Sequence, residues 1–128
     1  MSTIRLGHTP DFWSGVERPE AERDIKADAL VRLNLIPGVW AANHPTGVGL
    51  TLDGARVIRY GIEGSGDILA SLAGRIAWFE TKTAKGRQSD AQRRFESAMR
   101  RLGIIYELVR SADEAEARAR YHLERSAS

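Results

Sequence analysis

Asp67, Glu80 and Lys82 are the residues of this chain whose types and spacing best support chemistry. Asp67 follows a glycine-rich turn, Gly64-Ser65-Gly66. Glu80-Thr81-Lys82 closes the apolar run Ile76-Ala77-Trp78-Phe79. On a strand, positions i and i+2 face the same way, so Glu80 and Lys82 stand side by side. Two carboxylates and a lysine are a minimal site for a divalent cation and an attacking water. That is the chemistry of phosphodiester hydrolysis. The strand Arg75–Lys82 and a preceding strand starting at Asp67 must form a hairpin to bring the carboxylates together, with Gly74 in its turn.

The rest of the chain supplies the elements around that hairpin. Glu22, Ile25, Ala29, Leu30 and Leu33 recur at helical spacing, which predicts a helix from Pro19 to Asn34, stopped by Pro37-Gly38. Val39–Ala42 reads as a short strand, and residues 44–49 read as a loop. Asp53-Gly54 is a turn between two short β-prone runs, the second being Arg56–Tyr60. Ser89 with Gln92 forms a capping box, opening a helix that runs to Leu102 with Phe95, Met99 and Leu102 as its apolar stripe. Gly103 ends that helix, and Ile104–Val109 is a buried strand. Ser111 caps a last helix, Ala-rich and charged in the manner of a surface helix, running to Glu124. The expected order is α-β-β-β-β-α-β-α, an α/β fold. Residues 1–17 form an irregular segment, 18–125 a single domain and 126–128 a tail.

Composition narrows the function classes. The chain has 128 residues and no cysteine, so disulfides, thiol catalysis and thiolate zinc sites are excluded. His8, His44 and His122 are too scattered for a zinc site, and Trp78 reads as core. Gly64-Ser65-Gly66 is too short for a phosphate-binding loop, which argues against a nucleotide cofactor. No apolar segment reaches a membrane span, and the N-terminus lacks a signal-peptide pattern, so a cytoplasmic protein is expected. The net charge is only +2, from 19 basic and 17 acidic residues. Distribution says more than the total. Lys82, Lys85, Arg87, Arg93, Arg94, Arg100 and Arg101 crowd the segment that carries the carboxylates, which suits a polyanion. Lys85, Arg87, Arg59 and Arg93 are candidate phosphate contacts, whereas Arg100 and Arg101 read as solvated. No base-reading module is visible.

These pieces together resemble the VRR-Nuc family, the virus-type replication-repair nucleases of the PD-(D/E)XK, or restriction-endonuclease-like, superfamily. The resemblance spans roughly residues 20–114. Gly64-Ser65-Gly66-Asp67-Ile68 resembles its G-x-x-D-[IL] element, and Glu80-Thr81-Lys82 its E-x-K. Lys85-Gly86-Arg87-Gln88-Ser89 with Gln92 resembles its basic turn and helical glutamine. Gly66 stands where the superfamily name places a proline, a position that shapes the turn and binds nothing. The resemblance implies a restriction-endonuclease-like fold, a mixed central sheet flanked by helices. It implies that Asp67, Glu80 and the Thr81 carbonyl hold Mg²⁺ or Mn²⁺, with Lys82 orienting water and phosphate. Gln92 would position Lys82 or a phosphate. Glu22, or else Glu17 or Glu20, would supply the acidic residue of the first helix. Gln88 joins the DNA contacts with the basic turn, and Asn43 lies where similar small phage proteins carry an asparagine. The implied activity is that of a DNA endonuclease on branched DNA, such as four-way junctions, in a bacterial or phage-infected cell. A homodimer is implied, and the long first helix and Phe12-Trp13 are the expected sources of an interface. A flap or nicking nuclease, or a silent DNA-binding module with the same fold, are the alternatives.

Overall fold

The computed structural model describes residues 21–126 of the chain. In order, the elements are α1 (Glu22–Asn34), β1 (Val39–Asn43), β2 (Gly47–Leu50), β3 (Val57–Tyr60), β4 (Ile68–Leu72), β5 (Arg75–Thr81), α2 (Asp90–Arg101), β6 (Ile105–Val109) and α3 (Ala112–Ser126). Four strands make a central mixed sheet in the order β1-β4-β5-β6. The β1-β4 and β4-β5 pairs are antiparallel, and β5-β6 is parallel. The architecture is α/β, with helices flanking this sheet.

The predicted hairpin is present, with Ile68 opposite Phe79 and Leu72 opposite Arg75. Period-two alternation sends Ala77 and Phe79 to one face and Trp78 and Glu80 to the other. The first face is the core. Ile68, Ala70, Leu72, Phe79, Ile105 and Val109 pack there with Ala29 and Leu33 of α1 and with Ala115 and Ala119 of α3. α2 lies against the opposite face. Phe95 meets Trp78 edge-on at 5.2 Å and Tyr106 at 6.1 Å between ring centroids.

Several boundaries differ from expectation. The helix predicted from Pro19 begins at Glu22, after an extended Ala21 that offers no side-chain cap. Residues 44–49 are not all loop, because Gly47–Leu50 pairs with Val57–Tyr60 across the Asp53-Gly54 turn. Five strands therefore precede α2 instead of four, and β2 and β3 form a separate two-stranded sheet. Cross-strand hydrogen bonding holds Gly47 and Gly49 extended despite their low strand propensity. The last helix is not merely superficial. Its alanines let it approach α1 closely, and it continues through Ser126, a residue expected in the tail. Leu102 caps α2 but is 66% exposed, so the apolar stripe ends at Met99. Residues 1–17, with Phe12-Trp13 and Glu17, and likewise Pro19 and Glu20, lie outside the described residues. Among the described residues no helix is long and apolar enough to cross a membrane.

Candidate active site

Glu80 is the last residue but one of β5 and is only 1% exposed. Its side chain leaves the sheet on the α2 side, at the end where α2 begins. Each oxygen is held by one neutral donor. Gln92 donates from Nε2 to Oε2 at 2.6 Å, and the Tyr106 hydroxyl donates to Oε1 at 3.3 Å. Burial pushes this carboxyl up, and the charge of Asp67 pushes it further. Lys82 and the Tyr106 hydroxyl partly offset both, leaving it at about 7. Tyr106 is shifted up too, by burial and by the charge of Glu80.

Asp67 sits in the bend one residue before β4 instead of on the strand. Its Oδ2 accepts from the Thr81 N–H at 2.9 Å and from the Thr81 hydroxyl at 2.8 Å. The bond to the backbone of β5 is what locks the carboxylate beside Glu80. The turn before it is tight. A Cβ on Gly66 would stand 2.9 Å from the Phe79 carbonyl oxygen, and one on Gly64 2.4 Å from that of Ala91. Gly64 also has φ +83°, so both the space and the backbone demand glycine there.

Lys82 lies just beyond β5. Its Nζ is 3.5 Å from Glu80 Oε2 and 3.9 Å from Glu22 Oε1. The i, i+2 reading of Glu80 and Lys82 therefore corresponds to a real pair. Glu22, in the first turn of α1, reaches the site through Lys82. Among the described residues no three His, Asp or Glu side chains gather as a metal-holding group. The ammonium of Lys82 is the site partner that the structure gives Glu22.

Gln92 has two tasks. Its Oε1 accepts from the Ser89 N–H at 2.8 Å, which completes the capping box together with the Gln92 N–H to Ser89 Oγ at 3.1 Å. With Oε1 taken by a donor, the amide nitrogen is the end that faces Glu80. In this structure the Gln92 amide holds the Glu80 carboxylate.

The candidate DNA contacts divide. Lys85 and Arg87 are exposed on the turn after β5, near Lys82. Gln88 turns inward, donating to Glu96 Oε1 at 3.0 Å and to the Tyr106 hydroxyl at 3.4 Å. Arg93 bonds to Asp90 and to the Gln88 carbonyl. Arg59 is exposed on β3, away from the central sheet, and Asn43 is exposed at the end of β1. Two residues not anticipated from sequence build the site. One is Tyr106. The other is Arg110, whose Nη1 donates to the carbonyls of Thr83 and Gly86 at 2.5 and 2.8 Å and so fixes the basic turn. Tyr106 lies in a strand expected to be buried, and a hydroxyl in such a strand needs a polar partner. That is the one sequence signal that points to it.

The donor set fits a hard divalent cation. Asp67 Oδ1 has no partner among the described residues, and each Glu80 oxygen accepts only one neutral donor, so lone pairs remain on both groups. The charge of Asp67 opposes ionisation of Glu80, and a carboxyl so opposed is a place where a cation replaces a proton. In comparisons with known proteins, the chain matches no family model, no curated protein and no solved structure.

Proposed function

We propose that this chain is a metal-dependent endonuclease of the VRR-Nuc type with a restriction-endonuclease-like fold, hydrolysing phosphodiester bonds in branched DNA. The observation that carries this reading is the buried Glu80 carboxyl, raised to about 7 beside Asp67 and gripped by Gln92, with Lys82 at 3.5 Å. A surface ion pair has no need of such a setting. Perturbed carboxyl groups with a specific charge partner concentrate at functional sites.

Asp67 and Glu80, with the Thr81 carbonyl as third oxygen, would hold Mg²⁺ or Mn²⁺. Bound there, the cation would acidify water and offset the charge of the scissile phosphate. The protein's own side chains do the rest. Gln92 and Tyr106 keep the Glu80 carboxylate in one orientation. Thr81 does the same for Asp67. Lys82 supplies a positive charge that orients water and phosphate, and Glu22 restrains its ammonium group from the far side. Lys85 and Arg87 meet flanking phosphates, which positions the strand without reading sequence. A homodimer supplies two sites for the two symmetric cuts that a four-way junction requires.

The test is cleavage of a labelled four-way junction, a flap and a linear duplex, in Mg²⁺, Mn²⁺ or EDTA. Metal-dependent cutting of branched substrates is expected. Asp67→Ala and Lys82→Ala should abolish it while leaving DNA binding largely intact. Absence of metal-dependent cleavage on every substrate sinks the reading.

A further inference from the structure

The β2-β3 ribbon stands outside the central sheet and its flanking helices, in a sheet of its own. A lone two-stranded ribbon is marginal in water unless something covers its apolar face. Register places Val48 opposite Arg59 and Leu50 opposite Val57, so these four side chains share one face. Val48, Leu50 and Val57 are 58%, 67% and 62% exposed. Leu52, in the connecting turn, is fully exposed. Arg59 and Arg56 are exposed too, with no acidic partner among the described residues.

The base of the ribbon abuts the carboxylate site. The His44 N–H donates to the Asp67 carbonyl at 2.7 Å, and Gly64 packs against the backbone of Ala91, next to Gln92. A cleft of about 300 Å³ opens between ribbon and turn, with Thr46, Val48, Arg59 and Glu63 on its walls. A ligand lying along the ribbon therefore leads to Asp67.

The mixture of groups selects the ligand. A second copy docked ribbon to ribbon would bring like-charged Arg59 side chains into one apolar contact, with Glu63 the acid on the cleft walls, whereas a phosphate meets the guanidinium directly. Duplex DNA offers phosphates to the arginines but keeps its base faces stacked, so aliphatic side chains reach them only by prying a base step apart. Unpaired nucleotides offer both, a phosphate for the guanidinium and an unstacked base for aliphatic wedges such as Leu. We propose that the β2-β3 ribbon and its cleft hold the unpaired nucleotides at a DNA branch point and feed the adjoining strand to Asp67 and Glu80. This rests on DNA being the substrate of that site.

The experiment measures binding in EDTA, so that it does not depend on cleavage. The full chain is titrated with a fork bearing single-stranded arms and with a blunt duplex, by fluorescence anisotropy. A 2-aminopurine at the branch reports unstacking. The wild-type protein should prefer the fork and raise the 2-aminopurine signal. Leu50→Ser combined with Val57→Ser should weaken fork binding roughly tenfold while leaving duplex binding unchanged. Arg59→Gln, an exposed single change that spares the fold, should weaken the fork in the same direction. Equal wild-type affinity for fork and duplex, equal losses on both, or no DNA binding at all overturns the proposal. So does a ribbon variant that turns a dimer into a monomer in sedimentation, since the ribbon would then join two copies of the chain. Fork preference that depends on the ribbon, with no metal-dependent cleavage, upholds this inference and sinks only the nuclease reading.

Discussion

Glu80 is subject to opposed forces, since burial and Asp67 favour its neutral form while Lys82 favours the charged one. The direction of the resulting pH dependence follows. Its ordinary value is 4.5 and its folded value about 7. Between those values the folded protein holds a proton that the unfolded chain has lost. The contribution to stability is therefore complete below pH 4.5 and is lost as pH rises through 7, an amount of about 3 kcal/mol. Urea denaturation at a series of pH values should show this fall, and Glu80→Gln should flatten it. Asp67→Asn should move the inflection to lower pH by removing the like charge. Added Mg²⁺ should restore stability chiefly above pH 7, where the proton no longer competes with it. Ser65 offers a simpler check. Its hydroxyl is buried with no hydrogen-bond partner among the described residues, so Ser65→Ala should be neutral or stabilising by up to about 1 kcal/mol in the same assay. The pairing of Glu80 with Lys82 was legible from the i, i+2 spacing alone. The shift of Glu80 was not, because burial depends on Tyr106 and α2, which arrive from later in the chain.

Among the elements, the opening turn of α2 joins folding to the site. Ser89 and Gln92 satisfy each other's backbone N–H groups, and the same Gln92 amide grips Glu80. Ser89→Ala should cost about 1 kcal/mol of stability. It should also weaken the binding of Mn²⁺, measured by calorimetry, since the Gln92 rotamer loses one of its restraints. Gln92→Glu makes the contrast sharper. A glutamate preserves the capping box but sets a carboxylate against Glu80, so the cap survives while Glu80 is pushed to still higher pH. The capping box, the C′ glycine at Gly103 and the β4-β5 hairpin were all readable, because each is a local pattern of a few residues. β2 reads from sequence only as a β-prone run before the Asp53-Gly54 turn, with residues 44–49 as loop. Gly47 and Gly49 have low strand propensity, and pairing with β3 holds them extended. Gln88 was read as a DNA contact because it sits in a basic turn, yet Glu96 and Tyr106 draw it inward.

On the scale of the whole molecule, the sheet is held between α2 on one face and the α1-α3 pair on the other. Ala115 and Ala119 are fully buried where α3 meets the core. Small side chains there set how near the helices come to the sheet. Ala119→Leu should overpack that layer and cost about 1–3 kcal/mol, seen as a lowered Tm. The loss should be global, since the same layer seats α1 and hence Glu22. Arg32 links α1 to Asp113 and Glu116 of α3 at 2.7 and 2.8 Å, but the contact is too exposed to carry the layer by itself.

The amino-acid order alone determined the short-range features of this protein. Alternation placed Glu80 beside Lys82, glycine placed Asp67 after a tight turn, and Ser89 opened α2 at Gln92. Each depends on residues a few positions apart, where backbone geometry leaves few choices. Tertiary structure decided the rest. The parallel β5-β6 register carries Tyr106 to Glu80, α1 brings Glu22 to Lys82, and Arg110 ties down the basic turn. These contacts join residues far apart in the chain. Their formation depends on how the layers close over the core, and that is set by packing, which no local pattern encodes.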